Sequence, residues 1–150
     1  MTPTDLLVRP AAATDLPAVA EVYLESRAAA TMPPGIHPDD DVRRWVSGWD
    51  LTEHDVWLAE SGDALVGFAH TTPTWLDGLY VVPEAQGIGV GSALLDVVKA
   101  TRPDGFGLWV FEVNHPARGF YARHGLIELR RTDGSENEEH APDIEMVWRG

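Results

Sequence analysis

Short apolar runs alternate with longer amphipathic stretches along the chain, a pattern typical of strands interspersed with helices. Helical spacing of apolar residues predicts four helices, which cover residues 14–30, a short stretch from residue 39, residues 90–100 and residues 115–124. Thr14 is the predicted N-cap of the first helix and Asn114 that of the fourth. Three aspartates, residues 39–41, are expected in the first turn of the second helix, where they complement its dipole.

Shorter runs rich in Val, Leu and Trp predict strands at residues 6–8, 56–59, 64–69, 75–82, 108–113, 126–129 and 144–148. Ser61-Gly62-Asp63 is expected to form a tight hairpin between the second strand and the third. The nearly continuous apolar run at 108–113 is typical of a central strand buried on both faces. Strands with interspersed helices favour an α/β architecture, a mixed sheet covered by helices, in a single domain over residues 5–150.

The composition narrows the possible chemistry. The 150 residues include no cysteine, which excludes a disulfide framework, a thiolate nucleophile and a cysteine-ligated metal. Glu138-Glu139-His140 lacks the spacing of a metal-binding motif, so no metal is expected. No apolar run approaches the ~18 residues of a membrane helix, and the first five residues carry neither the basic nor the apolar part of a signal peptide. We therefore expect a cytoplasmic protein that binds no membrane.

Charge is distributed unevenly along the chain. Eleven basic and 24 acidic residues give a formal net charge of −13, which argues against a nucleic-acid partner. Residues 86–131 nevertheless hold six basic residues and four acidic ones. An anionic ligand is expected to bind in that segment, and a cationic ligand elsewhere.

A glycine-rich turn, Gln86-Gly87-Ile88-Gly89-Val90-Gly91-Ser92, precedes the third predicted helix. Glycines let a ligand approach the backbone closely, and a helix N-terminus presents free N–H groups, so the turn is a candidate phosphate cradle. It lacks the lysine of a Walker A loop, and Ser92 stands where the dinucleotide fingerprint requires glycine. The alternative is a flexible turn that only caps the helix.

Two sequence blocks resemble those of the GNAT superfamily of N-acetyltransferases. Residues 79–95, LYVVPEAQGIGVGSALL, resemble its acetyl-CoA signature, Arg/Gln-x-x-Gly-x-Gly/Ala between a strand and a helix. Asn-x-x-Ala-x-x-Phe-Tyr-x-x-x-Gly, the second block, is matched by Asn114, Ala117, Phe120, Tyr121 and Gly125. The resemblance implies a GNAT-type fold with a mixed, mostly antiparallel sheet of about six to seven strands and about four helices. It also implies that the strands of residues 75–82 and 108–113 splay apart to admit acetyl-CoA.

The resemblance implies a set of cofactor-binding residues. Backbone N–H groups of the turn are expected to hold the CoA pyrophosphate, with contributions from Gln86, Gly87, Ile88, Gly89, Val90, Gly91 and Ser92. Main-chain groups of Leu79, Tyr80 and Val81 are expected to pair with the pantetheine amides. Asn114 is expected to contact the cofactor arm, and Tyr121 to act near the CoA sulfur as a general acid.

The general base is less well defined by the resemblance. Many GNAT enzymes carry glutamates at two positions that are occupied here by Trp75 and Trp109. Asp77 is the first candidate for a replacement, followed by His70 and Glu112, and water alone is the remaining alternative.

The implied activity is direct transfer of an acetyl group from acetyl-CoA to a primary amine of a small-molecule or peptidyl acceptor. The acidic remainder of the chain favours a cationic acceptor, which residues 37–41 are expected to border. A homodimer is common in this superfamily. The alternative is a non-catalytic module that binds or senses acyl-CoA, which the absence of both glutamates favours.

Overall fold

The computed structural model describes residues 6–150; the predicted domain start at residue 5 and the N-terminal segment lie outside the described residues. The strands are β1 Leu6–Pro10, β2 Asp55–Ser61, β3 Ala64–Thr72, β4 Trp75–Val81, β5 Phe106–Phe111, β6 Ile127–Thr132 and β7 Asp143–Trp148. The helices are α1 Leu16–Ala29, α2 Asp39–Ser47, α3 Val90–Thr101 and α4 His115–Arg123. None of these helices is long and apolar enough to cross a membrane.

All seven strands form one sheet in the order β1-β2-β3-β4-β5-β7-β6. Five of the six neighbouring pairs are antiparallel, and only β4 and β5 run parallel. The predicted mixed, mostly antiparallel sheet with four helices is confirmed. β4 and β5 pair at a single position, Trp75 with Gly107, and diverge beyond it. This opening, which we call the seam, confirms the predicted splay.

Helices cover the sheet on both faces. Gly67 and Phe68 are neighbours on β3 and mark these faces, because consecutive strand residues point to opposite sides. A Cβ on Gly67 would lie 3.1 Å from Val90 of α3, so this position requires glycine for close packing. The Phe68 ring lies 5.6 Å from Tyr80, which lies 5.0 Å from Tyr23 of α1. We call the side of α1 and α2 the front face, and that of α3 and α4 the back face.

The start of α1 and both ends of β5 differ from the sequence predictions in ways that have a physical reason. Thr14 is not the N-cap of α1, because a short 3-10 turn over Ala13–Asp15 precedes that helix. The Asp15 carboxylate holds this turn by accepting a hydrogen bond from the Ala12 N–H at 2.8 Å and by pairing with Arg9. The pKa of Asp15 is lowered to about 2 by these partners, chiefly by Arg9.

β5 begins and ends two residues earlier than predicted. Gly107 belongs to the strand even though glycine is a weak strand former, because the Trp75 ring fills the space that a side chain would need. An added Cβ on Gly107 would lie 2.5 Å from that ring. Val113, predicted to end the strand, is exposed in the following turn.

Candidate active site

The glycine-rich turn has the backbone geometry of an anion cradle. Gly87 and Gly89 have φ angles of +81° and +94°, in the left-handed region that favours glycine, and open space surrounds both α-carbons. Gly91 has a packing role instead, since a Cβ there would lie 3.2 Å from the Phe120 ring of α4. Gln86 secures the start of the turn by donating from Nε2 to the Val81 carbonyl oxygen at 3.1 Å.

The backbone N–H groups of this turn are free to bind a ligand. The first bond of the α3 ladder runs from the Ala93 N–H to the Gly89 carbonyl oxygen at 3.0 Å. None of the N–H groups of residues 87–92 has a hydrogen-bond partner within residues 6–150. Unpaired donors at a helix N-terminus favour a negative group, so the turn fits a pyrophosphate.

Side chains of α3 and α4 tie the two helices together beside the turn. Ser92 Oγ lies 3.1 Å from Nε2 of His124, so the hydroxyl already has a protein partner. Lys99 donates from Nζ to the His124 carbonyl oxygen at 2.5 Å. Asn114 caps α4, as predicted, by accepting a hydrogen bond from the Ala117 N–H at 3.3 Å.

The predicted positive segment does not form a positive patch. Most of its cations are paired with carboxylates, in the pairs Arg102–Asp55, Arg118–Glu128, Arg130–Glu145 and Arg131–Glu128. Lys99 and Arg123 make no such pair within residues 6–150. Free backbone N–H groups, rather than local net charge, are therefore the main attraction for an anion here.

The seam leaves one edge of β4 without a strand partner. On its other side, β4 pairs with β3, where Leu79 lies opposite Ala69 and Val81 opposite Gly67. Beyond Trp75, the edge that faces β5 has no register partner. Main-chain groups at residues 79–81 are therefore able to pair with an extended ligand as a strand would.

Tyr121 of α4 is a buried phenol, only 8% exposed. Burial raises its pKa above the usual value, and the neighbouring Tyr80 of β4 adds to the rise. The hydroxyl therefore stays protonated at neutral pH. It makes no hydrogen bond within residues 6–150 and is not among their fully enclosed polar atoms, so its proton is available to a ligand.

Asp77 is the extra residue of a β4 bulge, because Leu76 and Gly78 pair with consecutive residues of β3. In a regular strand, Asp77 and Trp75 would point to the same face because they are two residues apart. The bulge interrupts that alternation. Its carboxylate accepts a hydrogen bond at 3.0 Å from Thr72, the residue opposite Trp75. Asp77 therefore reaches the side of the sheet on which Trp75 lies.

The other two base candidates are more constrained. His70 is 5% exposed, and its Nε2 lies 2.6 Å from Nδ1 of His54. Its ring stacks on Trp49, with centroids 4.0 Å apart. Burial lowers the pKa of His70 to about 4 against the opposing charge of Asp77, so the ring is neutral and weakly basic at pH 7. Glu112 lies in the turn after β5, where its backbone carbonyl binds Arg118 at 2.9 Å.

A front-face cavity of about 710 Å³ opens between α1, α2 and the loop that joins β6 to β7. Tyr23 and Trp45 form an aromatic wall, with ring centroids 5.9 Å apart, and Trp45 is 54% exposed. Tyr23 also contacts Tyr80, so the wall continues to the strand that borders the seam. Burial raises the pKa of Tyr80 to about 12.

The cavity is predominantly acidic. Its lining includes four carboxylates, those of Asp39, Asp41, Glu138 and Glu139. Arg27 pairs with Glu139 at 3.3 Å and His37 with Glu138 at 3.1 Å, so contacts across the cavity join α1 and its following segment to the β6–β7 loop. Residues 37–41 were expected from sequence to border an acceptor site, and three of them, His37, Asp39 and Asp41, line this cavity. Tyr23, Arg27 and Trp45 were not identified from sequence. The sequence signal for Trp45 was a large aromatic residue within the highly charged stretch of α2.

Known proteins resemble this chain in sequence and in fold. A family model described as an acetyltransferase (GNAT) domain matches residues 52–126, half of the chain. The peptidyl-lysine N-acetyltransferase YiaC of Escherichia coli is 29% identical over 151 residues, covering 95% of this chain and 96% of that protein. A GCN5-related N-acetyltransferase structure from Rhodopseudomonas palustris has a TM-score of 0.80 at 21% identity, covering 100% and 97% of the two chains. The PaiA N-acetyltransferase of Thermoplasma acidophilum, in complex with coenzyme A, has a TM-score of 0.73 at 21% identity, covering 97% and 99%.

Proposed function

The chain belongs to the GNAT acetyltransferase family and is an N-acetyltransferase, and we propose that its acceptor is a cationic primary amine such as a peptidyl lysine. The observation that carries this proposal is the acidic, aromatic-walled cavity beside the seam. The lining holds four carboxylates against one arginine, an excess of negative charge that draws a cationic acceptor to the cavity, and Tyr23 and Trp45 contact its alkyl part. The activity named for the 29% identical relative supports the same acceptor class.

Acetyl-CoA is the proposed acetyl donor, and its parts match four features of the chain. The free N–H groups of residues 87–92 hold the pyrophosphate, and the open edge of β4 at residues 79–81 pairs with the pantetheine amides. Asn114 lies at the start of α4, where it contacts the cofactor arm. Tyr121 then places its hydroxyl near the thioester sulfur.

Tyr121 and Asp77 manage the protons of the reaction in this proposal. The amine nitrogen forms a bond to the acetyl carbon, the carbon–sulfur bond breaks, and Tyr121 donates its proton to the departing sulfur. Asp77 accepts the proton that the amine loses. A lysine ammonium has a pKa of about 10.4, so the neutral amine that attacks is a small fraction of the acceptor at pH 7 and grows with pH. The rate at low acceptor concentration therefore rises with pH between about 7 and 9.

Thiol release from acetyl-CoA tests the proposal with matched peptides. One peptide has blocked termini and a single lysine, and a second has acetyl-lysine at that position. A third has norleucine there and a free N-terminus. Turnover with the first peptide alone, with a mass increase of one acetyl group, supports a side-chain ammonium acceptor. Turnover with the third peptide alone contradicts it.

A second measurement separates catalysis from simple binding. Calorimetric titration with acetyl-CoA reports binding whether or not an acceptor is present. Acetyl-CoA binding without turnover across the peptides and a panel of small amines would favour the alternative function, an acyl-CoA-binding or sensing module.

A further inference from the structure

Two tryptophans meet at the closed end of the seam. Trp75 belongs to the one residue pair that joins β4 to β5, and Trp109 lies two residues beyond its partner Gly107. The two ring centroids are 6.1 Å apart, with planes inclined at 49°. Trp75 covers Gly107, and Trp109 points to the same side of β5 because side chains alternate along a strand. We call Trp75 and Trp109 the indole pair.

The indole pair lies on the front face. Phe111, two residues beyond Trp109, has the guanidinium of Arg27 from α1 at 5.9 Å from its ring. Trp109 is 41% exposed, so much of its indole is available to a ligand. The Trp75 ring is fixed, since it rests on a glycine whose missing side chain leaves the space that the ring fills. The rings therefore form a preorganised aromatic surface that continues from the seam.

A cation already rests on this surface. The guanidinium of Arg130 lies 5.0 Å from the Trp109 ring centroid, within the range of a cation–π interaction. Arg130 also donates from Nε to Glu145 at 2.7 Å, and the side chain of Glu145 is only 14% exposed. On the β3 side, Asp77 accepts a hydrogen bond from Thr72, which lies opposite Trp75 in the sheet. Glu145 thus lies on the β7 side of the pair, and Asp77 is bonded to the β3 residue beside Trp75.

We propose that the indole pair is a cation–π subsite that receives the alkylammonium end of the acceptor beside the reacting centre. This inference rests on the proposed function and adds the group that recognises the acceptor charge. The ring faces attract an ammonium group through the aromatic quadrupole, and Asp77 is the group that takes its proton in the proposed function. The neutral amide product carries no charge for the rings to attract. The subsite therefore favours binding of the amine and release of its acetylated form.

Choline and 3,3-dimethylbutan-1-ol provide a direct test. The two molecules have the same shape and hydroxyl group, but only choline carries a charge, and neither offers an amine that can be acetylated. Binding is measured by ligand-observed NMR and by competition against the lysine peptide. We expect choline to bind about 3- to 10-fold more tightly than the alcohol. Equal affinities of the two molecules would overturn the subsite.

Variants test whether the indole pair is the source of a preference for choline over the uncharged alcohol. Trp109→Leu is expected to abolish the charge preference, and Trp109→Phe to retain part of it. Arg130→Gln removes the resident cation and is expected to strengthen choline binding about 2- to 5-fold. Leu7→Ser, an exposed apolar position on the edge strand β1, three strands away from β4, is the control for loss of apolar surface. An unchanged preference in folded Trp109→Leu would overturn the assignment.

The binding readout separates this inference from the proposed function. A choline preference in the absence of acetyl transfer would support the subsite and contradict the enzyme's proposed acceptor. Acetylation of lysine without a choline preference would support the acceptor and overturn the subsite.

Discussion

The two sides of the seam present different kinds of binding surface. On the back face, the ligand groups are backbone N–H groups of residues 87–92, positioned by glycines and by the start of α3. On the front face, they are side chains from α1, α2, β4, β5 and the β6–β7 loop. The back face therefore depends on local chain geometry, and the front face on tertiary arrangement.

This difference separates a surface with general ligand recognition, the backbone cradle, from one with specific recognition, the side-chain cavity. A backbone cradle needs only glycines at two positive φ angles and a helix start, so it recognises any ligand with the same phosphate group. A cavity made of side chains changes its ligand whenever one of them is exchanged. The proposed function therefore implies that the acceptor is chosen on the front face.

The largest expected effect comes from disrupting the cradle. Gly89→Glu forces a side chain into the left-handed region and places a carboxylate at the phosphate site, so acetyl-CoA binding is expected to fall at least 1,000-fold. Gly62→Glu is the matched control, because Gly62 also has positive φ and open surroundings but lies in the β2–β3 hairpin. Calorimetric titration measures both. Equal losses of binding would show that backbone strain, rather than the cradle, is responsible.

The next largest effect is expected from Tyr121, the general acid of the proposed function. Tyr121→Phe is expected to lower kcat about 100-fold while the dissociation constant of acetyl-CoA stays within about 2-fold, since only the hydroxyl is lost. Stopped-flow thiol release and calorimetry measure the two quantities. A kcat reduced by less than about 3-fold would assign protonation of the sulfur to water.

Sequence alone predicted the back face better than the front face for a physical reason. The cradle and the α4 cap are contiguous, so Gly87, Gly89 and Asn114 could be identified from spacing. The cavity and the indole pair depend on which residues lie opposite one another across strands. Trp75 and Trp109 were noticed in sequence only as positions without glutamate, because the register that brings them together is a property of the folded sheet. The start of β5 was mispredicted for a similar reason, because the place of Gly107 in the strand depends on the Trp75 ring that packs over it.

One front-face histidine, His70, is expected to make stability depend on pH. His70 has a pKa of about 4 when folded and about 6.5 when unfolded, so the unfolded state binds the extra proton between these values. Acidification from pH 6.5 to 5 is therefore expected to lower the free energy of unfolding by about 1 to 2 kcal/mol through this residue. Urea unfolding at both pH values measures the change. The groups that face His70 are His54, Trp49 and Asp77.

His70→Gln is the comparison for this measurement. It retains a polar side chain but cannot titrate, so its stability is expected to change less over the same pH range. An equal change in both proteins would assign the acid sensitivity to other groups.

The smallest expected effect concerns the charge of the cavity. Glu138→Gln and Glu139→Gln are each expected to raise the KM of a cationic acceptor about 2- to 5-fold, with a smaller effect at high salt. Glu136→Gln, on the same loop but outside the cavity lining, is the matched control. Steady-state kinetics at two salt concentrations distinguishes them. Equal effects in all three variants would indicate general attraction by the acidic surface.

The seam also has a consequence for the continuity of the sheet. Residues 6–81 hold four antiparallel strands, β1 to β4, that neighbour one another in chain order, and residues 106–148 hold the other three. One residue pair, Trp75 with Gly107, joins the two along the sheet. A ligand that pairs with the open edge of β4 would therefore act as an added, removable strand between them. In the proposed function, acetyl-CoA would complete the sheet each time it binds and leave it open each time coenzyme A departs.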